Sequence, residues 1–266
     1  MLNSINYSSA LSTSQSKLVT ALQALSSGSS INSAADNAAG LAQSTSYSVQ
    51  LSGTAQAMNN AQNGISMLET ASGALGQINQ GLQDIRTLTV QAGNGALSAS
   101  DRQMIQSQIG QITQGINQIA GTTQFNGQNL LDGSVSNLTL QVGGNAGQTQ
   151  NIQLGNLSGS ALGISGVDVT TAAGQAAALS SLDSAIQQVS SQSASIGAAQ
   201  SSLSSVMSNQ ATAYNNLAAA KSQISDTNYA QTTSSLTQSN VQRQASLQAL
   251  ALYNSTQNSV LTLLPK

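Results

Sequence analysis

Apolar residues recur at steps of three and four along most of the chain, which is the spacing of one face of an α-helix. The longest series lies in residues 180–224, where two apolar or small positions in every seven form the narrow seam of a coiled-coil helix. The first of these positions, interrupted only by a glutamine, holds Leu182, Val189, Ile196, Leu203, Leu217 and Ile224. A helix over this span is about 65 Å long at 1.5 Å per residue, so the pattern predicts a rod.

Two further segments predict helices that pack against this rod. Residues 61–92 carry leucines at the same seven-residue period, and residues 101–120 carry isoleucines at alternating steps of four and three. The isoleucine series is Ile105, Ile109, Ile112, Ile116 and Ile119. Ser98 followed by Asp101 matches a capping box at the start of the second helix. Three long helices with narrow apolar seams indicate a bundle.

Between the isoleucine helix and the rod, the apolar period changes to two. Leu138, Leu140 and Val142 alternate with polar residues, the turn residues "GGNAGQ" follow, and the alternation resumes at Ile152 and Leu154. This pattern predicts one β-hairpin at about 135–157. The sequence as a whole predicts a mainly α fold, a long helical coiled-coil and bundle rod with one small β-hairpin region.

The two ends of the chain carry amphipathic helix patterns with no core nearby in the sequence. Their surfaces lack Glu–Lys pairs that support isolated helices, and Ser, Thr and Asn are mediocre helix formers. We expect both ends to be disordered in the monomer and to pair as helices only in the assembled state. The leucines predicted to form this self-assembly interface are Leu11, Leu18, Leu22, Leu25, Leu247, Leu250, Leu261 and Leu264.

Composition narrows the function further. Charged residues make up 5% of the chain, and the formal net charge is −2 with only six basic residues. With so few basic residues, we expect the chain to bind neither nucleic acid nor an anionic membrane. The absence of His and Cys removes the commonest catalytic groups and transition-metal ligands. We therefore expect no enzyme activity, cofactor or metal, although two carboxylates brought together by folding leave a glycosidase formally open.

Several segments resemble bacterial flagellin. "LSSGSSINSAADNAAG" (25–40) is similar to the N-terminal signature of that family, and "NAQNGISMLETASGAL" (60–75) to the segment that follows it. "NLAAAKSQISDTNYA" (216–230) resembles its strongest C-terminal signature, and "VLTLLPK" (260–266) its closing element. These matches span nearly the whole chain in the expected order.

The resemblance implies a layered subunit. Residues 1–44 with 225–266 correspond to the inner coiled-coil layer D0, and residues 45–180 with 181–224 to the bundle layer D1. Only about "GISGVDVTTAAGQAA" stands where the outer domains D2 and D3 occur, which is too short for a domain. The segment 25–40, here named the spoke, corresponds to the joint between D0 and D1. Its candidate residues are Gly28, Ile31, Asn32, Asp36 and Gly40.

The function implied by the resemblance is structural. The chain is expected to polymerise with copies of itself into the flagellar filament used for motility, outside the cell. Implied partners are an export chaperone, the type III export apparatus, and hook-associated and cap proteins, with no membrane insertion. Export by that apparatus agrees with the lack of a Sec-type signal at the N-terminus. The hook–filament junction protein shares the terminal layers and is the alternative function, and an enzyme displayed on the filament is a third.

One more segment resembles a flagellin site of known role. Residues 82–91, "LQDIRTLTVQ", are similar to the family segment recognised by the vertebrate flagellin-sensing Toll-like receptor. The matching positions are Gln83, Arg86, Leu88, Val90 and Gln91. Asp84 replaces a basic residue, and Thr87 and Gln108 each replace an acidic one. These departures predict weak receptor activation.

Overall fold

The computed structural model describes the backbone of residues 2–263 and the side chains of Asn6 and residues 8–259. This part of the chain forms five α-helices and two small antiparallel sheets, so the mainly α fold expected from the sequence is confirmed. The helices are α1 (Leu2–Ser27), α2 (Ala34–Ala92), α3 (Ala99–Thr122), α4 (Ala172–Ser225) and α5 (Tyr229–Leu263). The strands are β1 (Gln124–Phe125), β2 (Gln128–Asn129), β3 (Asn137–Gln141) and β4 (Thr149–Gln153).

The chain divides into two compact units. The central unit is Ser52–Tyr214, and the terminal unit combines the residues up to Leu51 with those from Asn215 onward. The central unit therefore contains α3, all four strands and long parts of α2 and α4. The terminal unit contains α1 and α5, which pack against each other.

The core of the central unit is made by the predicted helix seams. On α2, Leu68, Leu75 and Leu82 are almost fully buried. Seam residues of α3 and α4 join the same cluster, namely Ile105, Ile109, Ile116, Leu182, Val189, Ile196 and Leu203. Burying one such side chain is worth about 1.5–3 kcal/mol, so these layers explain why the three helices associate. The seam predicted on α4 becomes only half-buried at Leu217 and Ile224, which belong to the terminal unit.

The start of α3 is fixed by the capping box that the sequence predicts. The Ser98 hydroxyl accepts a hydrogen bond from the Asp101 backbone N–H (3.1 Å), and the Asp101 carboxylate accepts one from the Ser98 N–H (3.0 Å). Hydrogen bonds to Ser98 lower the pKa of Asp101, the side-chain bond contributing most. Two N–H groups that the first helical turn leaves unpaired are thereby satisfied.

Both sheets are hairpins. Asn126 (φ 50°) and Gly127 (φ 78°) make the two-residue turn between β1 and β2, the left-handed pair that an Asn-Gly hairpin uses. The predicted longer hairpin is β3 paired with β4, with Leu138 opposite Ile152. Side-chain amides of neighbouring helices bind its backbone: Asn60 donates to the Gln141 carbonyl (3.0 Å), and Gln192 to the Gln153 carbonyl (3.0 Å).

The connection from β4 to α4 contributes to the core instead of projecting from it. Leu157, Ile164 and Val169 are almost fully buried there. The side-chain amide of Gln106 on α3 makes two hydrogen bonds to this segment. Its N–H donates to the Val167 carbonyl (2.7 Å), and its oxygen accepts from the Val169 N–H (2.8 Å). This segment covers the bundle as a packed loop.

Two glycines of α4 differ in the space around them, so alanine substitutions at the two positions are expected to change the free energy of unfolding in opposite directions. A Cβ on Gly174 would lie 2.6 Å from the Asp168 carbonyl oxygen, whereas a Cβ on Gly197 meets nothing within 4 Å. Gly174→Ala is expected to destabilise the chain by about 1–3 kcal/mol through overpacking. Gly197→Ala is expected to stabilise it by about 0.5–1 kcal/mol through helix propensity. Urea unfolding followed by circular dichroism measures both, and a stabilising Gly174→Ala would contradict the packing described.

Candidate assembly surface and joint of the terminal unit

The face of α1 that packs with α5 is a heptad seam with leucines at one position and small residues at the other. Leu11, Leu18 and Leu25 are seven residues apart and half-buried, whereas Ser14 and Ala21 between them are buried. Small residues let two helix backbones approach closely, but they bury little apolar surface. The α1 seam therefore buries little apolar surface.

The facing seam on α5 is even more polar. A seven-residue repeat of covered positions runs through Thr232, Leu236, Ser239, Arg243, Ser246, Leu250 and Tyr253. Most are hydroxyl residues, and Ser239 is buried. A groove of about 570 Å³ between the two helices is lined by polar and small side chains such as Ser16, Thr20 and Gln238.

The predicted interface leucines divide into two groups. Leu11, Leu18, Leu25 and Leu250 lie half-buried on the α1–α5 seam. Leu22 and Leu247 lie off it, with 48% and 47% of their surface exposed. The side chain of Leu261 and all of Leu264 lie outside the described residues. Within one chain, the packing of α1 against α5 therefore buries only some of the predicted interface leucines.

The terminal unit exposes other apolar side chains in addition to Leu22 and Leu247, and these were not identified from the sequence. They are Val19, Val49, Val241 and Leu252. These residues lie off the heptad seam, on helix faces that are normally polar when a helix packs only within its own chain. Apolar residues at such positions are the sequence signal that indicates an additional contact surface.

A charged residue interrupts the α5 seam. Arg243 occupies a covered heptad position, and its Nε is buried with no hydrogen-bond partner among the residues whose side chains the structure describes. An unpaired buried N–H costs free energy, so Arg243 weakens the α1–α5 pair. A polar residue at a seam position also disfavours other registers of two helices.

The spoke and the α4–α5 connection cross as a short antiparallel pairing, here named the joint (residues 28–33 with 225–228). The Ser30 N–H donates to the Ser225 carbonyl (2.7 Å), and the Thr227 N–H donates to the Gly28 carbonyl (2.9 Å). Ser29 and Asp226 form the bridge between these bonds. Gly28 has φ +72°, a left-handed conformation that suits the end of α1.

Hydroxyl groups add further hydrogen bonds around this pairing. The Ser29 hydroxyl donates to the Ser225 carbonyl (3.0 Å). The Thr227 hydroxyl donates to the Ala24 carbonyl (3.2 Å), and the Tyr229 hydroxyl to the Leu25 carbonyl (2.8 Å). The Leu25 carbonyl lies in the final turn of α1, where carbonyls lack a partner within the helix, whereas the Ala24 carbonyl also accepts the Gly28 N–H (3.0 Å). The hydrogen bonds between the two segments are therefore made by neutral groups.

Asp36 organises the second half of the spoke. Its carboxylate accepts hydrogen bonds from the Asn32 N–H (3.0 Å), the Ser33 N–H (2.8 Å) and the Ser33 hydroxyl (3.0 Å). These bonds, the Asn32 backbone bond first, lower the pKa of Asp36 from its ordinary value. The carboxylate thus fixes the turn through which the chain enters α2.

The backbone of α2 is interrupted just after this turn, and a glycine allows the close contact that follows. Asn37 has φ −164° and ψ 96° inside the helix, and its side-chain oxygen accepts the Gly40 N–H (2.9 Å), as an N-cap residue does. Gly40 is buried, and a Cβ there would lie 2.6 Å from Ile31 Cδ1. Ile31 therefore packs directly over the Gly40 backbone.

The structure thus places all five spoke residues in one small region of the terminal unit. The partners on the other side of the joint were missed. Ser225, Thr227 and Tyr229 act through main-chain pairing and hydroxyl groups, which leave little pattern in a sequence. The run "SDTNYA" (225–230) carried the only signal, as a cluster of cap and turn residue types between two helical patterns.

The receptor-like segment lies on α2 in the central unit. Gln83, Arg86, Val90 and Gln91 are exposed, and Leu88 is half-buried. Arg86 Nε lies 2.8 Å from Asp183 Oδ1 in an ion pair with α4. Leu88 lines a shallow groove of about 440 Å³ together with Asp84, Thr87 and Gln108. The departures from the family pattern therefore share one surface with the matching residues.

A pH titration tests the role of Asp36. Its folded pKa is lowered, so its three hydrogen bonds are complete above the ordinary carboxyl pKa of 3.8 and are lost as the pH falls through the lower folded value. The NMR amide shifts of Asn32 and Ser33 should titrate with a midpoint below 3.8, and Asp36→Asn should remove that transition. A midpoint at or above the ordinary value would show that the carboxylate does not hold this turn.

Family models match both ends of the chain. The model described as the bacterial flagellin N-terminal helical region matches residues 1–136. The model described as the bacterial flagellin C-terminal helical region matches residues 179–264. Among the helices of residues 2–263, none combines the length and apolar character needed to cross a membrane.

Curated relatives are flagellins. One from Bacillus subtilis (strain 168) is 37% identical over 297 residues, covering 99% of this chain and 97% of the relative. One from Xenorhabdus nematophila is 38% identical over 295 residues, covering 96% and 94%. One from Serratia marcescens is 47% identical over 168 residues, covering 63% of this chain and 48% of the relative. The chain thus spans about half the length of the last relative and nearly all of the first two.

Solved structures agree on the fold. A crystal structure of Bacillus cereus flagellin has a TM-score of 0.52 at 30% identity, covering 61% of this chain and 94% of that one. A putative flagellar hook-associated protein from Vibrio parahaemolyticus has a TM-score of 0.61 at 14% identity, covering 72% and 100%. That low identity shows a shared fold alone and gives a hook-associated role no support. The family models and the full-length relatives together establish that the chain belongs to the bacterial flagellin family.

Proposed function

We propose that the chain assembles through the apolar side chains that α1 and α5 leave exposed. Its membership of the flagellin family makes it a structural subunit of the bacterial flagellar filament. The observation that carries the assembly proposal is the exposure of Leu22 and Leu247. Both belong to helices whose own seam combines half-buried leucines with small and hydroxyl residues.

The α1–α5 pair has little to stabilise it within one chain. Among the described side chains of α1, the buried apolar ones are alanines, Ala21 and Ala24, and the buried Arg243 Nε on α5 has no hydrogen-bond partner among residues 8–259. Helix pairs with so little apolar burial are marginal in water. We therefore keep the proposal that the terminal helices of the free monomer are disordered and become ordered when neighbouring copies cover them.

The chemistry of the exposed side chains and the symmetry of a polymer indicate what contact neighbouring copies would make. Leucines and valines on one copy can be buried against different apolar positions on the next. Contacts between non-identical surfaces give an open helical polymer when the rotation between successive copies does not close a ring. A charged fraction of 5% and a formal net charge of −2 leave little repulsion between copies. In this polymer, residues 1–44 with 225–266 would form the inner layer and residues 45–224 the surrounding layer.

The joint would carry the connection between these layers. Its bonds are main-chain and hydroxyl hydrogen bonds within a short antiparallel pairing. Gly28 and Gly40 are the positions where the backbone turns and where Ile31 packs most closely. The five spoke residues are proposed to fix the direction in which the inner helices leave the outer layer.

The remaining roles come from the family resemblance. We propose that the chain is exported as an unfolded polypeptide by the flagellar type III apparatus with a dedicated chaperone, and that it functions outside the cell without enzymatic activity. Hook-associated and cap proteins are the proposed partners at the filament ends. Weak activation of the flagellin-sensing receptor stays a prediction, based on Asp84 and Thr87 beside the matching residues.

A polymerisation assay tests the assembly surface. Leu22→Gln and Leu247→Gln remove apolar groups that one chain leaves exposed, so the monomer should keep its helix content. Burying a leucine is worth about 1.5–3 kcal/mol, so each variant should raise the critical concentration for seeded polymerisation by about 10- to 100-fold. Sedimentation of the polymer with electron microscopy of the pellet measures this.

Met104→Gln is the matched control, because Met104 is an exposed apolar residue on α3 of the central unit. It should change the critical concentration much less than either leucine variant. Deletion of residues 236–266 should abolish polymerisation. Intact polymerisation by the deletion, or an equal effect of Met104→Gln, would refute assembly through the terminal helices.

A further inference from the structure

The chain contains three Asn-Gly pairs, at 63–64, 94–95 and 126–127, and they lie in three different backbone environments. Asn-Gly is the dipeptide in which a backbone N–H most readily reaches the preceding side-chain amide, because glycine has no Cβ to obstruct it. We propose that Asn94 is a site of spontaneous deamidation in the folded protein. The other two pairs are protected by the fold.

Asn94 lies in the open loop between α2 and α3. Both Asn94 and Gly95 are exposed, and nothing lies within 4 Å of where a Gly95 Cβ would be. The loop bonds are made by neighbouring amides, with Asn94 N–H donating to Gln91 and Leu97 N–H to Asn94. Among residues 2–263, no hydrogen bond is recorded for the Gly95 N–H, so this nitrogen is available to react.

A hydrogen bond also favours attack of the Gly95 nitrogen on the side-chain amide carbon of Asn94. The Ala96 N–H donates to Asn94 Oδ1 at 3.1 Å. This oxygen gains negative charge when a nucleophile adds to Cγ, and a fixed N–H at that distance stabilises such an oxyanion. The same hydrogen bond restrains the side chain over the following backbone, which favours an intramolecular reaction.

The reaction uses only the chain and water. The Gly95 backbone nitrogen loses its proton and forms a bond to Asn94 Cγ, the bond from Cγ to the side-chain nitrogen breaks, and ammonia leaves. The five-membered succinimide is then opened by water at either carbonyl, giving aspartate or isoaspartate. Nothing is oxidised or reduced, and the chain gains one negative charge.

The other two pairs lack this freedom. Asn63 and Gly64 lie inside α2, where the Gly64 N–H belongs to the helical hydrogen-bond ladder, and Gly64 is buried beneath Leu140. Asn126 and Gly127 are exposed as well, and a Gly127 Cβ would meet nothing within 4 Å. What restrains this pair is the backbone: Asn126 is held at φ 50° in the hairpin turn, with the β1–β2 pairing on either side. Ring closure at either place requires local opening of the fold first.

The new carboxylate at position 94 would lie close to a cation. Arg102 donates from Nε to the Ala92 carbonyl (3.1 Å) and from Nη2 to the Asn94 carbonyl (3.4 Å). Its guanidinium therefore already binds the loop in which the charge appears. An attractive partner at that point favours the charged product, whereas isoaspartate would lengthen the main chain just before the α3 cap.

Peptide mapping of the aged, full-length protein tests this directly. Cleavage after lysine and arginine places the three asparagines on separate peptides, 18–86, 87–102 and 103–221. After incubation of the folded chain in mildly alkaline buffer, peptide 87–102 should acquire the mass of the deamidated form about tenfold faster than the others, since local opening limits their rates. An isoaspartyl methyltransferase with labelled methyl donor should mark the same peptide.

Gly95→Ala is the matched variant, because its added Cβ meets nothing but obstructs the attacking nitrogen. It should slow deamidation of peptide 87–102 about tenfold while the circular dichroism of the chain is unchanged. In strong denaturant the three peptides should react at similar rates. Equal rates in the folded chain, faster reaction at Asn126, or a Gly95→Ala variant that reacts as fast as the parent would each overturn the proposal.

Discussion

The terminal unit depends on two backbone hydrogen bonds, from Ser30 to Ser225 and from Thr227 to Gly28. They bring together segments almost two hundred residues apart in the chain, so that α1 ends where α5 begins. Once these ends are side by side, the heptad repeats of α1 and α5 can meet in register, and Arg243 disfavours other registers. The alanines and serines of the seams bury little apolar surface. The helix pair is thus positioned by the joint more than it is stabilised by its own interface.

The chain reaches this arrangement with very few charges. Asp36, Asp101, Asp132 and Asp168 all accept hydrogen bonds from backbone N–H groups and hydroxyls, which lower their pKa values. Within the described residues the recorded ion pair is Arg86 with Asp183, and it is about half exposed, where such pairs contribute little. Side-chain amides replace charged side chains in binding loop backbone groups, as Gln106 does with the Val167–Val169 loop. A surface of this kind repels its copies weakly, which suits a subunit that must pack against itself.

Much of the fold could be predicted because period and burial are strongly coupled in a narrow helix seam. Leu182 to Leu203, the isoleucines of α3 and the Ser98 cap each carry a local signal with one structural solution. The leucines at the ends gave the position of the α1–α5 seam, but not that Leu22 and Leu247 would lie off it. The joint was out of reach because its bonds come from backbone groups that every residue has. The buried loop at Leu157–Val169 was also missed, since a short run of valine and isoleucine between glycines does not show what it packs against.

Neutral hydrogen bonds link the two segments of the joint, and apolar contacts between copies are proposed to order the terminal helices in the filament. Electrostatic contributions of exposed charges weaken as the Debye length falls from about 30 Å at 0.01 M salt to about 3 Å at 1 M. The most direct measurement is therefore the thermal stability of the filament across that range of sodium chloride. We expect a melting temperature that is nearly constant or rises slightly with salt. A steep fall with increasing ionic strength would contradict it, because it would show that ion pairs hold the subunits together.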